Sequence, residues 1–418
     1  MSPHEHSPPP AAGPTRDTGR IPGPDLARGI MLLLIVLANT TFYLYGRPSS
    51  PAGVQPADGS TADRIVQALL ITMVDLRVYP MFAFLFGYGL VLIHRSRQNR
   101  GLDEPAARRQ VQRRNLLLLA FGAVHALLLW GGDVLGAYGL TGLLLVWLFL
   151  RRSDRTLLAW AGAGTGLLLT LTVLVTLDAL AVLAGDRTAG DPGSGVFALA
   201  RASVSAEDPL QAAAARMTMW PVMSLAIQGL LGMVVPVSIL LGIWAARRRV
   251  LERPWEHRRL LWTTAVAGIA VGWIGAAPQA LTHVGLLDGL VPVMGSFTVP
   301  HLLTGLACGL GYVAVFGLVG GRLVGRPLGP AGSAVVAVGK RSMTCYLAQS
   351  VICAPLLAAW GLGWGAQLSS AGMAAFAVGV WLLTVAYAVV LERRGRTGPA
   401  EALLRRLTEG RPRVVAGS

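Results

Sequence analysis

The sequence predicts an all-α polytopic membrane protein of about ten transmembrane helices, with both termini in the cytoplasm. Three observations predict it: composition, the recurrence of apolar runs of spanning length, and the placement of the arginines. Hydrophobic residues make up 53% of the chain and charged residues only 14%. Mean hydropathy is +0.56, which leaves too little charge to solvate a soluble chain of 418 residues. A hydrocarbon core takes roughly 20 largely apolar residues per helix. Runs of that kind recur at 26–45, 77–95, 115–132, 134–150, 157–183, 222–245, 260–281, 299–321, 335–358 and 371–391. All but six of the 36 Lys and Arg residues then fall in alternate segments, at 1–28, 95–114, 151–155, 246–259, 322–341 and 392–418. Only Arg47, Arg64, Arg77, Arg187, Arg201 and Arg216 lie on the other side. This is the positive-inside pattern, which sets both termini in the cytoplasm, and an even count of spans follows from it. The net charge of +15 thus follows the membrane, and no basic patch interleaved with aromatics asks for a nucleic-acid partner.

Taken in order, residues 1–24 are punctuated by Pro8, Pro9, Pro10, Pro14, Pro22 and Pro24 and predict a disordered cytoplasmic tail. The apolar run from Ile30 is too long for a signal sequence and lacks a small-residue cleavage site, so it stays as an anchor. The stretch from Asp63 to Val74 alternates charge with apolar residues and suits a lip helix on the outer surface. The longest outward loop, 184–220, holds Asp186, Asp191, Pro192 and Gly193. An Ala-rich run from Pro209 to Met219 follows and suits a short surface helix, so the loop reads as a lid or spacer. The spans form a single membrane domain over 25–395, with 396–418 a cytoplasmic tail. Many of the 51 glycines lie inside spans, where small residues let helices approach closely. Cys308, Cys345 and Cys353 all fall in spans, which supports neither a structural disulfide nor a thiolate metal site, and no metal is expected.

Inside a membrane the informative residues are those the bilayer penalises, at about 3 kcal/mol for an ionisable group near the midplane. His125 is the clearest, in the middle of the apolar run 116–130. It reads either as a neutral imidazole bonded to a neighbouring carbonyl or as a functional base. Asp133 follows where the third span emerges. Eight residues of helix rise about 12 Å, so the two need not touch, although Gly131 and Gly132 are able to end the helix and fold the carboxylate back. Asp133 reads equally as a solvated turn residue. In the first span Asp25 and Arg28 are spaced to pair, and Arg28 and Asn39, eleven apart, share nearly one face. Arg28 suits bidentate capture of a phosphate or carboxylate, or simply anchors the helix. Arg113 and Arg114 open the third span, and Lys340 and Arg341 the ninth. Within the ninth, Thr344, Tyr346, Gln349 and Ser350 either bond across helices or line a wet cavity.

These residues carry a family resemblance over most of the chain. Asp25-Leu-Ala-Arg28-Gly29 followed by Asn39 resembles the opening "D-x-x-R-G … N" helix of the bacterial DUF418, or YeiB-like, membrane proteins. Met81 to Gly89 resembles their "LFGYG" segment. Arg113-Arg114 through His125, Trp130 and Gly132-Asp133 to Leu140 resembles their third and fourth spans. Gly339 to Ser350, and Gly398 to Arg405 with Gly410, resemble their carboxyl-terminal part. The chain departs from the pattern at Cys345, where asparagine is expected, and at Pro24, where a bulky apolar residue is usual. DUF418 proteins are in turn similar to transmembrane acyltransferases, the acyltransferase-3 and heparan-glucosaminide acetyltransferase groups, in which a histidine late in the first helix falls about where Asn39 stands here.

The resemblance implies a transmembrane acyltransferase-like enzyme that moves an acyl group from cytoplasmic acyl-CoA, as co-substrate, to a small or lipid-linked acceptor. His125 would be the base, with Asp133 orienting either the imidazole or the acceptor and Asn39 donating to the oxyanion. Arg28, Arg113 and Arg114 would hold the donor phosphates, and Tyr346, Gln349 and Ser350 would line the substrate cavity. The alternatives are a transporter or exporter of a small anionic or amphiphilic solute, suggested by Pro221, Pro236 and Pro278 inside spans, and a non-catalytic membrane component recruiting partners through its arginine-rich loops.

Overall fold

A computed structural model describes residues 22–48, 50, 53–188 and 194–409. Fifteen α-helices and no β-strand occur among them: α1 Gly23–Thr41, α2 Thr61–Met73, α3 Val78–Asn99, α4 Glu104–Leu128, α5 Val134–Phe149, α6 Asp154–Leu183, α7 Ser194–Ser205, α8 Pro209–Val222, α9 Val234–Arg247, α10 Arg258–His283, α11 Thr298–Arg322, α12 Pro330–Lys340, α13 Ser342–Leu357, α14 Ser370–Arg393 and α15 Pro399–Glu409.

Helix pairs approach closely where glycine removes the side chain. Gly87 of α3 lies against the Ile239 backbone of α9, and Gly242 of α9 against the Phe84 backbone of α3, so the pair is interlocked from both sides. Gly268 and Gly272 do the same for α10 on α11. The main buried cluster runs through α1, α3, α5, α9 and α11. A second gathers Val36, Tyr43, Trp130, Leu357 and Ala377 near the far end of α1. Leu167, Leu171, Leu174 and Leu177 of α6 are exposed, the mark of a helix whose solvent is lipid.

Among the described residues, six helical segments are long and apolar enough to cross a membrane: Gly23–Thr41, Thr61–Asn99, Asp154–Leu183, Arg258–His283, Asp288–Arg322 and Ser370–Arg393. Three apolar helices, α5, α9 and α13, fall short of that length, and α4 opens with Arg108, Arg109, Arg113 and Arg114. Two expected spans are not continuous helices. In 222–245, α8 ends with a π-turn at Met223–Ile227 and the chain turns before α9, where Pro221 and Pro236 withhold backbone donors and Met233 takes a positive φ of 58°. In 335–358, α12 and α13 are parted at Arg341. Its guanidinium bonds the carbonyls of Ala337 at 3.2 Å and Arg396 at 2.6 Å and the Glu392 carboxylate at 2.6 Å. The expected tail 1–24 lies mostly outside the described residues, and Gly23 and Pro24 already belong to α1. The stretch expected as a lip helix forms α2, which with α3 makes up the candidate span Thr61–Asn99; its Asp63 closes a capping box with Ser60 and accepts from the Ala371 amide of α14 at 2.8 Å.

Arginines close several helix ends at one end of the bundle. Arg247 donates to the carbonyls of Leu150 at 2.8 Å and Arg152 at 2.6 Å beyond α5, and Arg95 to those of Ala246 and Arg247 at the end of α9. Terminal carbonyls lack partners within their helix, and a cation there also complements the dipole.

Candidate functional site

The site is built at the reversal between α4 and α5. The amides of Leu129 and Trp130 both donate to the His125 carbonyl, at 2.9 and 3.1 Å, which ends α4. Gly131 then passes close against the Arg216 backbone of α8, and Gly132 against the Trp130 indole, where a Cβ would not fit unless the ring moved. Asp133 caps α5, its Oδ2 accepting from the Gly136 amide at 2.6 Å. The same carboxylate turns back toward α4. Its Oδ1 lies 2.8 Å from His125 Nδ1, with the two side chains 0% and 1% exposed. In a continuous helix these residues would stand about 12 Å apart; the glycine reversal puts them in contact.

A carboxylate on Nδ1 fixes the proton there and leaves Nε2 as the free lone pair of the imidazole. His125 Nε2 is buried and has no hydrogen-bond partner. Tyr346, from α13, stands over the pair, with its hydroxyl 3.4 Å from Asp133 Oδ1 and its ring centroid 5.1 Å from that of the imidazole. Tyr346 also lines a small cavity of about 20 Å³ with Asn39, Tyr43, Trp130, Gln349 and Ser350, room for about one water molecule. Gln349 donates to the Leu32 carbonyl at 3.3 Å, while its Oε1 and the Trp130 Nε1 are buried without partners. Val36, Thr40 and Cys353 complete the lining, and Tyr346 is the residue that links this cavity to the His125–Asp133 pair.

Helix α8 covers the reversal. Arg216 donates from Nε and Nη2 to the Leu127 carbonyl at 3.1 and 2.9 Å and lies 5.7 Å from the Trp360 ring centroid. The Ala-rich run of the long loop thus forms the cover of this site.

The basic residues occupy another level. Arg28 pairs with Asp25 at 3.2 Å. Arg114 lies over the Phe86 ring at 5.7 Å, near enough to Arg28 for their like charges to interact, whereas Arg113 is exposed. Eleven residues of helix, about 16 Å, separate Arg114 from His125, and the same interval separates Arg28 from Asn39. The structure thus joins Asn39, Tyr346, Gln349 and Ser350 around one cavity beside the His125–Asp133 pair, and sets Arg28 and Arg114 apart from it.

Sequence reasoning missed Tyr43, Trp130 and Arg216, for which only Trp130 carried a signal, in the resemblance to the third span. It also placed Arg77 simply among the outward residues. Arg77 is wholly buried, donating to the Asp75 carbonyl, meeting His301 and bonding the Gly272 carbonyl at 2.8 Å.

Comparison with known proteins now bears on these elements. The family described as "Protein of unknown function (DUF418)" matches residues 245–411, the stretch from the end of α9 through α15. Over nearly its whole length the chain is similar to the uncharacterized protein YeiB of Escherichia coli strain K12, 27% identical over 405 residues, which cover 92% of this chain and 95% of YeiB. The DUF418 match and the full-length similarity to YeiB support the DUF418/YeiB-like resemblance of the sequence. It is also 26% identical over 416 residues to the uncharacterized protein YxaH of Bacillus subtilis strain 168, covering 94% of this chain and 96% of YxaH. An uncharacterized 39.9 kDa protein from the amylase 3′ region of Bacillus acidopullulyticus is 33% identical over 122 residues, 29% of this chain and 32% of its own. The DUF418 match contains Tyr346, Gln349 and Ser350, whereas Asn39, His125 and Asp133 lie in the part that the full-length relatives alone span.

Proposed function

We propose that this DUF418-like protein is a membrane-embedded acyltransferase-like enzyme of the bacterial inner membrane, with its arginine-rich end in the cytoplasm. The observation that carries the reading is the His125–Asp133 contact, with a buried Nε2 that has no hydrogen-bond partner and with Tyr346 linking the pair to the small cavity. His125 Nε2 takes the proton from an acceptor hydroxyl or amine as that atom attacks the thioester carbonyl of an acyl-CoA. The negative charge that forms on the carbonyl oxygen is met by Asn39, and Asp133 stabilises the imidazolium. Collapse breaks the carbon–sulfur bond, the thiolate leaves, and the imidazolium returns the proton to it. Arg28 and Arg114 grip the donor phosphates, and the roughly 16 Å to His125 suits a donor whose reactive end rides on a long flexible arm. The cavity is too small for either substrate, so α8 with its Arg216 clasp opens during turnover.

The test is thermal stability of purified wild type and His125→Ala with a panel of acyl-CoAs against free CoA and nucleotides, since a ligand that binds the native state raises its melting point. Stabilisation by an acyl-CoA, kept in the variant while transfer is lost, supports the enzyme. No response to any donor removes the acyl-CoA mechanism and favours a solute transporter, a reading supported by the broken passage from α8 to α9.

A further inference from the structure

At the arginine-rich end a groove of about 430 Å³ opens between the last turns of α3 and the loop after α9, lined by Arg95, Ser96, Asn99, Arg100, Arg249 and Glu252. Its volume is that of a small-ligand site; Leu92 completes the lining, and every other lining residue is polar or charged. The one carboxylate in the lining is already engaged, because Glu252 pairs with Arg95 at 3.4 Å while Arg95 also holds the Ala246 and Arg247 carbonyls. Arg95 is thus a fixed wall. Arg100 and Arg249 are exposed, and neither has an ion pair among the described residues.

Arg249 is held at a positive φ of 55°, which glycine adopts freely and arginine does not. Its amide donates to the Ala246 carbonyl at 3.1 Å, and its carbonyl accepts from the amides of Glu252 and Arg253 at 3.0 and 2.8 Å. A guanidinium therefore stands at the mouth of the groove where the backbone would be better served by glycine, and such strain gathers at functional positions. Seven residues before Ser96, on the same face of α3, Gly89 faces the Arg28 guanidinium, which is itself paired with Asp25.

We propose that this groove binds a phosphate ester. Arg100 and Arg249 supply charge-assisted donors to the phosphate oxygens, and the Asn99 amide and Ser96 hydroxyl supply neutral ones. The phosphate comes either from the headgroup of an anionic phospholipid or from a soluble phosphate ester. The proposal does not rest on the acyl-transfer reading.

The full chain, reconstituted in phosphatidylcholine nanodiscs, is titrated with labelled adenosine 3′,5′-bisphosphate. In a parallel arm native mass spectrometry counts the phosphatidylglycerol molecules it retains from a mixed bilayer. The variant is Arg100→Gln/Arg249→Gly, in which glycine relieves the backbone while removing the charge, so folding is preserved and the melting point reports it. Saturable binding of at least one probe, weakened about tenfold or more in the variant and by added salt, is expected. Binding of the soluble probe alone identifies a soluble ester, and retention of the lipid alone identifies a headgroup. Binding of neither probe by wild type, or an affinity unchanged in the well-folded variant, overturns the proposal.

Discussion

Asp133 makes two contacts that separate substitutions can tell apart. One oxygen caps α5 through the Gly136 amide and the other orients His125. Asp133→Asn keeps an N-cap oxygen, asparagine being as good a cap as aspartate, but removes the negative charge that steadies the imidazolium. If His125 is the base, transfer falls about 10²- to 10⁴-fold while the melting point stays close to wild type. Asp133→Ala removes the cap as well and leaves Nδ1 buried without its partner, so stability drops by about 1–3 kcal/mol. His125→Gln abolishes the proton transfer yet keeps a polar group near Asp133. An Asp133→Asn protein with full activity would remove the carboxylate from the mechanism. The sequence showed His125 and Asp133 as separate candidates because spacing along one helix sets them apart. Their contact depends on where α4 stops, which two glycines permit but do not dictate.

The break between α12 and α13 is explained by contacts from a distant segment. Glu401 of α15 accepts from the amides of Met343 at 2.8 Å and Thr344 at 3.1 Å and from the Thr344 hydroxyl, while the Ala400 amide donates back to that hydroxyl at 3.0 Å. A carboxylate from elsewhere in the chain thus does for α13 what an N-cap residue does locally. Glu401→Ala is expected to cost about 1–3 kcal/mol and to loosen α15, read as a lower melting point and as faster proteolysis near residue 399. Glu401→Gln retains an acceptor and loses less. If both variants melt like wild type, the cap is not holding the break. The sequence marked Gly398 to Arg405 only through its resemblance to the family, and composition read 396–418 as a tail. A cap donated over 57 positions has no local signature. By contrast α1, α6, α10, α11 and α14 were legible from apolar length, because lipid leaves a long helix no other way to satisfy its backbone.

At the scale of the whole molecule, the arginines decide which way the bundle faces. All but six of the 36 basic residues fall in the alternate segments of the ten-span reading, and the positive-inside rule would assign that side to the cytoplasm. That assignment also sets the dyad beneath the α8 cover on the outer side and the basic groove within reach of cytoplasmic ligands. The sequence could count apolar runs but not foresee that α5, α9 and α13 would be short or that two runs would break, since both depend on packing against neighbours. Orientation is open to direct measurement because Cys308, Cys345 and Cys353 are all buried free thiols, unreactive toward an impermeant maleimide in the folded protein. Single cysteines at the exposed positions Leu210 and Leu407 can then be labelled in intact cells without removing the native ones. The expected result is modification of Leu210→Cys from outside and of Leu407→Cys only after the membrane is opened. The opposite pattern would put α8 and the His125–Asp133 cavity on the cytoplasmic side and the arginine groove outside, where the donor of the proposed reaction could not reach Arg28 and Arg114. Labelling of both from outside would mean an even number of crossings between residues 210 and 407, and the two breaks would be the first segments to examine.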